Sequence, residues 1–182
     1  SYINSVSAVG FTDEFLTICF ARRAAAYKRA TLIFTDLEYL FNLSLDRVQF
    51  IFAGKAHPQD DLGKELIKEI VNIGKQYENR LRMVFLLNYN IWSAALMTQG
   101  TDVWLNTPRR PREASGTSGM KVCFNGGVNM SVLDGWWREG CINRVNGWAI
   151  GDDEDQNDDD AAADLYRDLE DMVTTYYSKP KQ

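Results

Sequence analysis

Cysteine is scarce in this chain of 182 residues, and the three present, Cys19, Cys123 and Cys141, are odd in number and show no CxxC spacing. That pattern excludes a disulfide framework and a zinc knuckle, and it favours reduced, buried thiols in a cytoplasmic setting. No apolar run approaches the ~18 residues that suggest a membrane span. No basic stretch leads into an apolar signal core, so neither a membrane partner nor secretion is expected. Internal repeats are missing. The acidic stretch Asp152 to Asp160 lacks the glycine and spacing of a calcium loop and reads as a solvated loop and helix cap, leaving no metal site to expect. The glycine spacing fits neither Walker nor dinucleotide fingerprints. The chain opens on Ser1 rather than Met and reads as a domain cut from a longer polypeptide.

What is present is ordinary for a globular domain. Hydrophobic residues make up 45% and charged residues 25% of the chain, so nothing requires disorder. A chain of this length buries roughly 70% of the surface it exposes when unfolded, enough for a real core. The net charge of −5 conceals a division: residues 151–182 carry 3 of the 20 Lys and Arg but 11 of the 25 Asp and Glu. The body is therefore mildly basic, and local potential decides what a cleft attracts. No nucleic-acid partner is expected.

Hydrophobic periodicity gives the organisation. Phe15 to Phe20 reads as a strand, Ala24 to Leu40 as an Ala-rich helix, and Val48 to Ala53 as a second buried strand. After Pro58 and the capping candidates Asp60 and Asp61 comes a helix with Leu62, Leu66, Ile70 and Ile73 on one face. Leu81 to Leu87 is a third strand, Ile91 to Met97 helical, Asp102 to Leu105 a fourth strand and Met130 to Leu133 a fifth. Asp158 to Asp160 suit the start of a last helix, whose stripe is Leu165, Leu169, Met172, Val173 and Tyr176. Alternating strands and helices predict an α/β, Rossmann-like parallel sheet with helices on both faces. One lobe spans residues 1–182, with a lead segment 1–12, the acidic loop 152–160 and a terminal helix 161–177.

In such a sheet ligands lie beyond the carboxyl ends of the strands. The loop after the first strand reads Ala21, Arg22, Arg23 and continues to Tyr27, Lys28, Arg29, a cationic cluster suited to phosphate or to plain solvation. A second loop runs from Glu113 through Ala114, Ser115, Gly116, Thr117, Ser118 and Gly119 to Met120 and Lys121. Its small residues admit an anion to the backbone, Thr117 or Ser118 is a helix cap, and Lys121 falls in the first turn. A lysine there suits a covalent bond to the aldehyde of pyridoxal phosphate, although a surface lysine on a Gly/Ser loop is the plainer reading of spacing alone.

The ordered series narrows the choice. Glu113 to Lys121, Asn125-Gly126, Leu133-Asp134-Gly135-Trp136-Trp137 and Asn146 to Gly151 resemble the cofactor-lysine region of α-glucan phosphorylases. Arg22-Arg23, Tyr27-Lys28-Arg29, Ala53 to Pro58 and Asn88-Tyr89 resemble further family motifs in the family's order, over residues 15 to 151. The Trp-Trp form is similar to the shorter bacterial and archaeal branch. The resemblance implies the C-terminal lobe of a two-lobed glycosyltransferase-B-type fold and reversible phosphorolysis of α-1,4-glucan by orthophosphate, yielding glucose 1-phosphate with retention.

It further implies that Lys121 carries pyridoxal phosphate, with Thr117, the Gly116 and Ser118 backbone and Arg22 around its phosphate and Tyr89 against its ring. Arg23 and Lys28 fall where the family holds substrate phosphate, and Glu113, Ser115 and the Gly116 backbone where it holds glucose hydroxyls. An N-terminal lobe is the implied partner, and the lobe alone is expected to be inactive. Arg22 stands where better-known members have lysine, Ser118-Gly119 replace a Gly-Asn pair, and Leu87 precedes Asn88 where an acidic residue is common. The single histidine, His57, reads as structural. Two other readings are a nucleotide-sugar glycosyltransferase lobe, which has no need of Lys121, and a non-catalytic carbohydrate-binding module, which would leave Trp136, Trp137 or Trp148 open to solvent.

Overall fold

The computed structural model describes residues 2–152 and 154–178. Its elements, in chain order, are α1 (Tyr2–Val6), β1 (Leu16–Ala21), α2 (Leu37–Ser44), β2 (Val48–Ala53), α3 (Asp61–Gln76), β3 (Met83–Leu86) and α4 (Ile91–Gly100). They continue with β4 (Val103–Asn106), α5 (Thr117–Phe124), β5 (Val128–Val132), α6 (Trp137–Gly140), β6 (Gly147–Ile150) and α7 (Asp158–Ser178). All six strands are parallel, in the order β3-β2-β1-β4-β5-β6. This is a Rossmann-like α/β sheet, and its order reverses between β1 and β4.

The central strands β1, β2 and β4 are apolar at all but one position each, Thr17, Gln49 and Asn106, because both faces are covered. On β1, Ile18 and Phe20 join a core with Leu40, Ile70, Leu165 and Leu169 on one face of the sheet. Cys19 and Ala21 point the other way and pack with Met97, Trp104 and Val122, as the two-residue period of a strand requires. Helices α2, α3 and α7 thus cover one side, and α4 and α5 the other.

Short polar side chains cap the helix starts by accepting backbone N–H groups, Asp60 among them as expected. Asp60 accepts the N–H of Gly63 at 2.9 Å, Asn90 and Ser93 form a reciprocal capping box, and Asn157 accepts from Asp160 at 2.9 Å. Helix α7 then begins at Asp158, inside the stretch read as an acidic loop, and buries Leu165, Leu169, Met172 and Val173 as expected. Asp153 of that stretch lies outside the described residues.

Three readings need correction. The helix expected over Ala24 to Leu40 is two 3-10 turns, Ala26–Lys28 and Leu32–Phe34, followed by α2. The carbonyls that a continuous helix would use internally accept bonds from the segment after β4: Tyr27 from Arg109 N–H at 2.7 Å, and Lys28 and Arg29 from the Thr107 hydroxyl at 3.0 and 3.1 Å. Arg29 itself adopts a left-handed conformation, φ 48°, which ends the first turn. On α3, Leu62 is 72% exposed and stands off the buried stripe. The sixth strand, Gly147–Ile150, lies within a stretch read only as a motif.

Asp168 on α7 is fully buried, and its Oδ2 has no hydrogen-bond partner. Burial pushes its carboxyl up to about 6, opposed by Arg167 and Arg144, each 3.8 Å from Oδ1, and reinforced by Asp164 and Asp171. A carboxyl raised in the folded state contributes stability that is full below its unfolded value, near 3.9, and is lost as pH rises through about 6. Asp168→Asn is therefore expected to be more stable than the parent at pH 7, on the order of 2 kcal/mol, with the advantage shrinking to little by pH 4. Urea unfolding of both proteins across pH 4–7 measures this difference.

Candidate anion and cofactor site

The reversal of strand order brings the carboxyl ends of β1 and β4 side by side, with Arg22 following one and Asn106 ending the other. Arg22 continues the sheet pairing, its N–H donating to Ala53 O at 3.0 Å, so its side chain leaves from a fixed backbone. A small cleft there is lined by Arg22, Asn106, Gly116, Gly119, Ser131 and Trp136.

Arg22, on its wall, meets two further charges. Glu113 Oε2 lies 2.7 Å from Arg22 Nη2 and is also bound by Lys28 Nζ, and all three side chains are at least nine-tenths buried. Burial drives the Glu113 carboxyl up, but hydrogen bonds from Lys28 and Arg22 and their charges outweigh it, leaving Glu113 below the usual carboxylate range. Arg22 Nη1 and Asn106 Oδ1 are buried without a hydrogen-bond partner. An orphaned guanidinium nitrogen of this kind is a free donor aimed into a cleft.

The second wall is the start of α5. Gly116 is its N-cap in a left-handed conformation, φ 84° and ψ 43°, and no side chain caps the helix. The expected capping by Thr117 or Ser118 is thus corrected: both are first-turn residues, whose N–H groups an α-helix leaves without internal partners. Lys121 sits in the second turn and not the first, because the helix begins at Thr117; it is exposed on the α5 surface.

The loop is braced from β5. The Glu113 N–H donates to Asp134 Oδ2 at 2.9 Å, and the Trp136 N–H to Ser115 O at 2.9 Å. Gly135, φ 57°, is required by that approach, since a Cβ there would stand 2.4 Å from Ser115 O. A methyl carbon on Gly119 would stand 2.4 Å from Asn129 Oδ1 and 3.2 Å from Trp136 Nε1. The room for a side chain at position 119 is thus taken by Asn129 and Trp136, which accounts for the glycine there.

Of the residues singled out from sequence, Arg22, Lys28, Glu113 and Gly116 come together, and Thr117, Ser115 and Ser118 lie on the adjoining turn. Tyr89 is half-buried against the second core and within the field of Arg22; burial raises its phenol. Arg23 is exposed and turns to the Tyr27 phenol, which burial pushes up but Lys28 and Arg23 hold below its ordinary value. His57 is exposed in a local turn, its Nδ1 accepting from Gln59 N–H at 3.2 Å. Asn106, Asn129, Ser131 and Trp136 escaped sequence reasoning as site residues, although the polar ends of β4 and β5 are a signal for the first three.

The tryptophans are not an open binding platform. Trp137 is 1% exposed and donates to Trp148 O, Trp148 Nε1 donates to Asp171 Oδ2 at 2.9 Å, and Trp136 packs edge-on against Trp137. The described acidic residues from Asp152 to Asp160 are exposed, as expected of a solvated loop and helix cap, and some also hold arginines. Asp158 pairs with Arg29 and Arg109, and Asp152 O accepts from Arg110 at 3.3 Å.

Fold and cleft together define a Rossmann-like α/β domain with a cluster of buried charges at the switch point of its sheet. The family described as carbohydrate phosphorylase matches residues 2–140, and the chain belongs to that family. It is 50% identical over 174 residues to maltodextrin phosphorylase of Thermococcus litoralis, covering 91% of this chain and 21% of that protein. It is 48% identical over 177 residues to glycogen phosphorylase of Aquifex aeolicus, covering 93% and 25%. Glycogen phosphorylase of Mycobacterium tuberculosis H37Rv is 47% identical over 167 residues, covering 87% and 19%. The chain thus spans about a fifth to a quarter of these relatives' length. Among the described residues no helix is long and apolar enough to cross a membrane.

Gly119→Ala is expected to destabilise the fold by about 1–3 kcal/mol, since neither Asn129 nor Trp136 can move without breaking the packing of β5 on α5. Thermal denaturation followed by near-UV circular dichroism reads this cost through the environment of Trp136.

Proposed function

We propose that this chain is the cofactor- and phosphate-holding lobe of an α-glucan phosphorylase, which splits terminal α-1,4-linked glucose from a glucan with orthophosphate and releases glucose 1-phosphate with retention. The observation that carries this reading is the buried Arg22 guanidinium, with one nitrogen unpartnered, facing the Gly116 helix start in a chain of this family.

The residues fit pyridoxal phosphate. Lys121 is exposed for covalent attachment, the N–H groups of Thr117 and Ser118 head a helix, and Arg22 Nη1 is free to meet a phosphate oxygen. When bound, the cofactor would supply its phosphate as a proton and charge partner for the attacking orthophosphate. The chain's own work is electrostatic. Two phosphates side by side repel strongly where water is excluded, and Arg22, Lys28 and Arg23 provide the counter-charge. Arg22 has a second use as a planar fork able to meet two oxygens at once, which lysine lacks. Ser115, the Gly116 backbone and Glu113 orient the glucosyl unit, and Tyr89 backs the cofactor ring.

The N-terminal lobe of the family is the partner this reading requires, because it closes the other side of the cleft. Exclusion of water and orientation supply about 7–11 kcal/mol of a typical barrier. The 182-residue chain alone is therefore expected to release glucose 1-phosphate from maltoheptaose and phosphate many orders of magnitude more slowly than a whole phosphorylase. Activity near that of a whole enzyme, lost in Lys121→Ala, would make it a complete minimal catalyst instead.

Incubation with pyridoxal phosphate, borohydride reduction and peptide mass mapping test the cofactor assignment directly. One adduct at Lys121 is expected, absent in Lys121→Ala. Labelling scattered over surface lysines and unchanged by that substitution refutes it.

A further inference from the structure

Glu113 offers a single oxygen to two buried cations. Oε2 holds both Arg22 Nη2 and Lys28 Nζ, and these are the donors that the proposed phosphate site depends on. An anion that uses them must either displace this oxygen or sit beside a carboxylate of its own sign in a cleft where charge is poorly screened. Local geometry favours displacement. The Glu113 backbone is anchored by its N–H to Asp134 Oδ2, whereas its Cγ lies beside positions 116 and 135, both glycines, which present no side chain of their own to it. Arg22 Nη1, buried and unpartnered, is where an incoming anion can first be held.

We infer that Glu113 is an internal rival of the phosphate groups this cleft would take, an affinity-setting residue whose carboxylate holds Arg22 and Lys28 until a phosphate takes its place. The inference rests on the reading of this cleft as a phosphate site. Its consequence runs opposite to that of an ordinary binding residue: removing the charge of Glu113 strengthens anion binding.

The test is calorimetric titration of the 182-residue chain with inorganic phosphate, comparing the parent with Glu113→Gln, Lys28→Met and the double variant. Glu113→Gln is expected to tighten phosphate binding on the order of tenfold, and the gain should fall below about threefold in the Lys28→Met background, because a liberated Lys28 is part of its origin. Glu113→Ala, which keeps the backbone bond to Asp134, repeats the measurement should the Gln variant melt early. Phosphate affinity unchanged or weakened by both substitutions overturns the rivalry while leaving the phosphate site and the Lys121 assignment standing. If neither parent nor variants bind phosphate, the phosphate site falls and the rivalry with it, while labelling at Lys121 is judged separately. A gain equally large with and without Lys28 also overturns the rivalry as drawn.

Discussion

Buried cations cannot be left without counter-charge or acceptors, and this domain buries three within eight residues of one another. Arg22 and Lys28 close on Glu113, while Arg29 donates through Nε to Thr107 O at 2.9 Å and through Nη2 to Pro108 O at 3.1 Å, and pairs with Asp158. Each partner belongs to a distant part of the chain. Satisfying the three charges therefore ties the loop after β1 to the loop before α5 and to the first turn of α7. The local backbone follows: the 3-10 turns after Arg22 exist because their carbonyls and side chains are committed to that distant segment.

This constraint also explains the division of charge along the chain. The acidic start of α7 serves its own helix dipole and, through Asp158, the arginines at 29 and 109. Glu113 performs the matching service inside the cleft. The basic body and acidic tail are thus two halves of one electrostatic arrangement, and within the cleft Arg22 Nη1 is left without a partner.

The cleft itself is a product of topology and glycine. Parallel strands leave their carboxyl ends on one side, and the reversal between β1 and β4 opens the gap that side chains from both halves line. Gly116 turns the chain into α5 without a side chain over the cleft, and Gly135 lets the β5 loop press on Ser115. Trp136 and Asn129 then take the volume beside Gly119. A substitution at one of these positions is consequently felt at the others, and the small-residue loop functions as a packed unit.

Sequence by itself determined the strands of the buried sheet, because Leu16 to Ala21 and Val48 to Ala53 are apolar at all but one position each, Thr17 and Gln49, and have only one stable place, between two layers of helices. It also determined the stripe of α7, the cap at Asp60 and, through an ordered series of motifs, the family. It did not determine the path from Ala24 to Leu40: Ala-rich periodicity favours a helix, and only the hydrogen bonds from Thr107 and Arg109, some eighty residues away, decide otherwise. It named Arg22, Lys28 and Glu113 as members of a site, but their mutual neutralisation depends on distances that spacing does not encode. Asn106, Asn129 and Trp136 were hidden for the same reason, since each becomes a cleft residue only when strand order brings β1, β4 and β5 together. Local composition fixes what each segment prefers, whereas the pairing of buried charge and the filling of space around glycine are settled by neighbours that only the folded chain supplies.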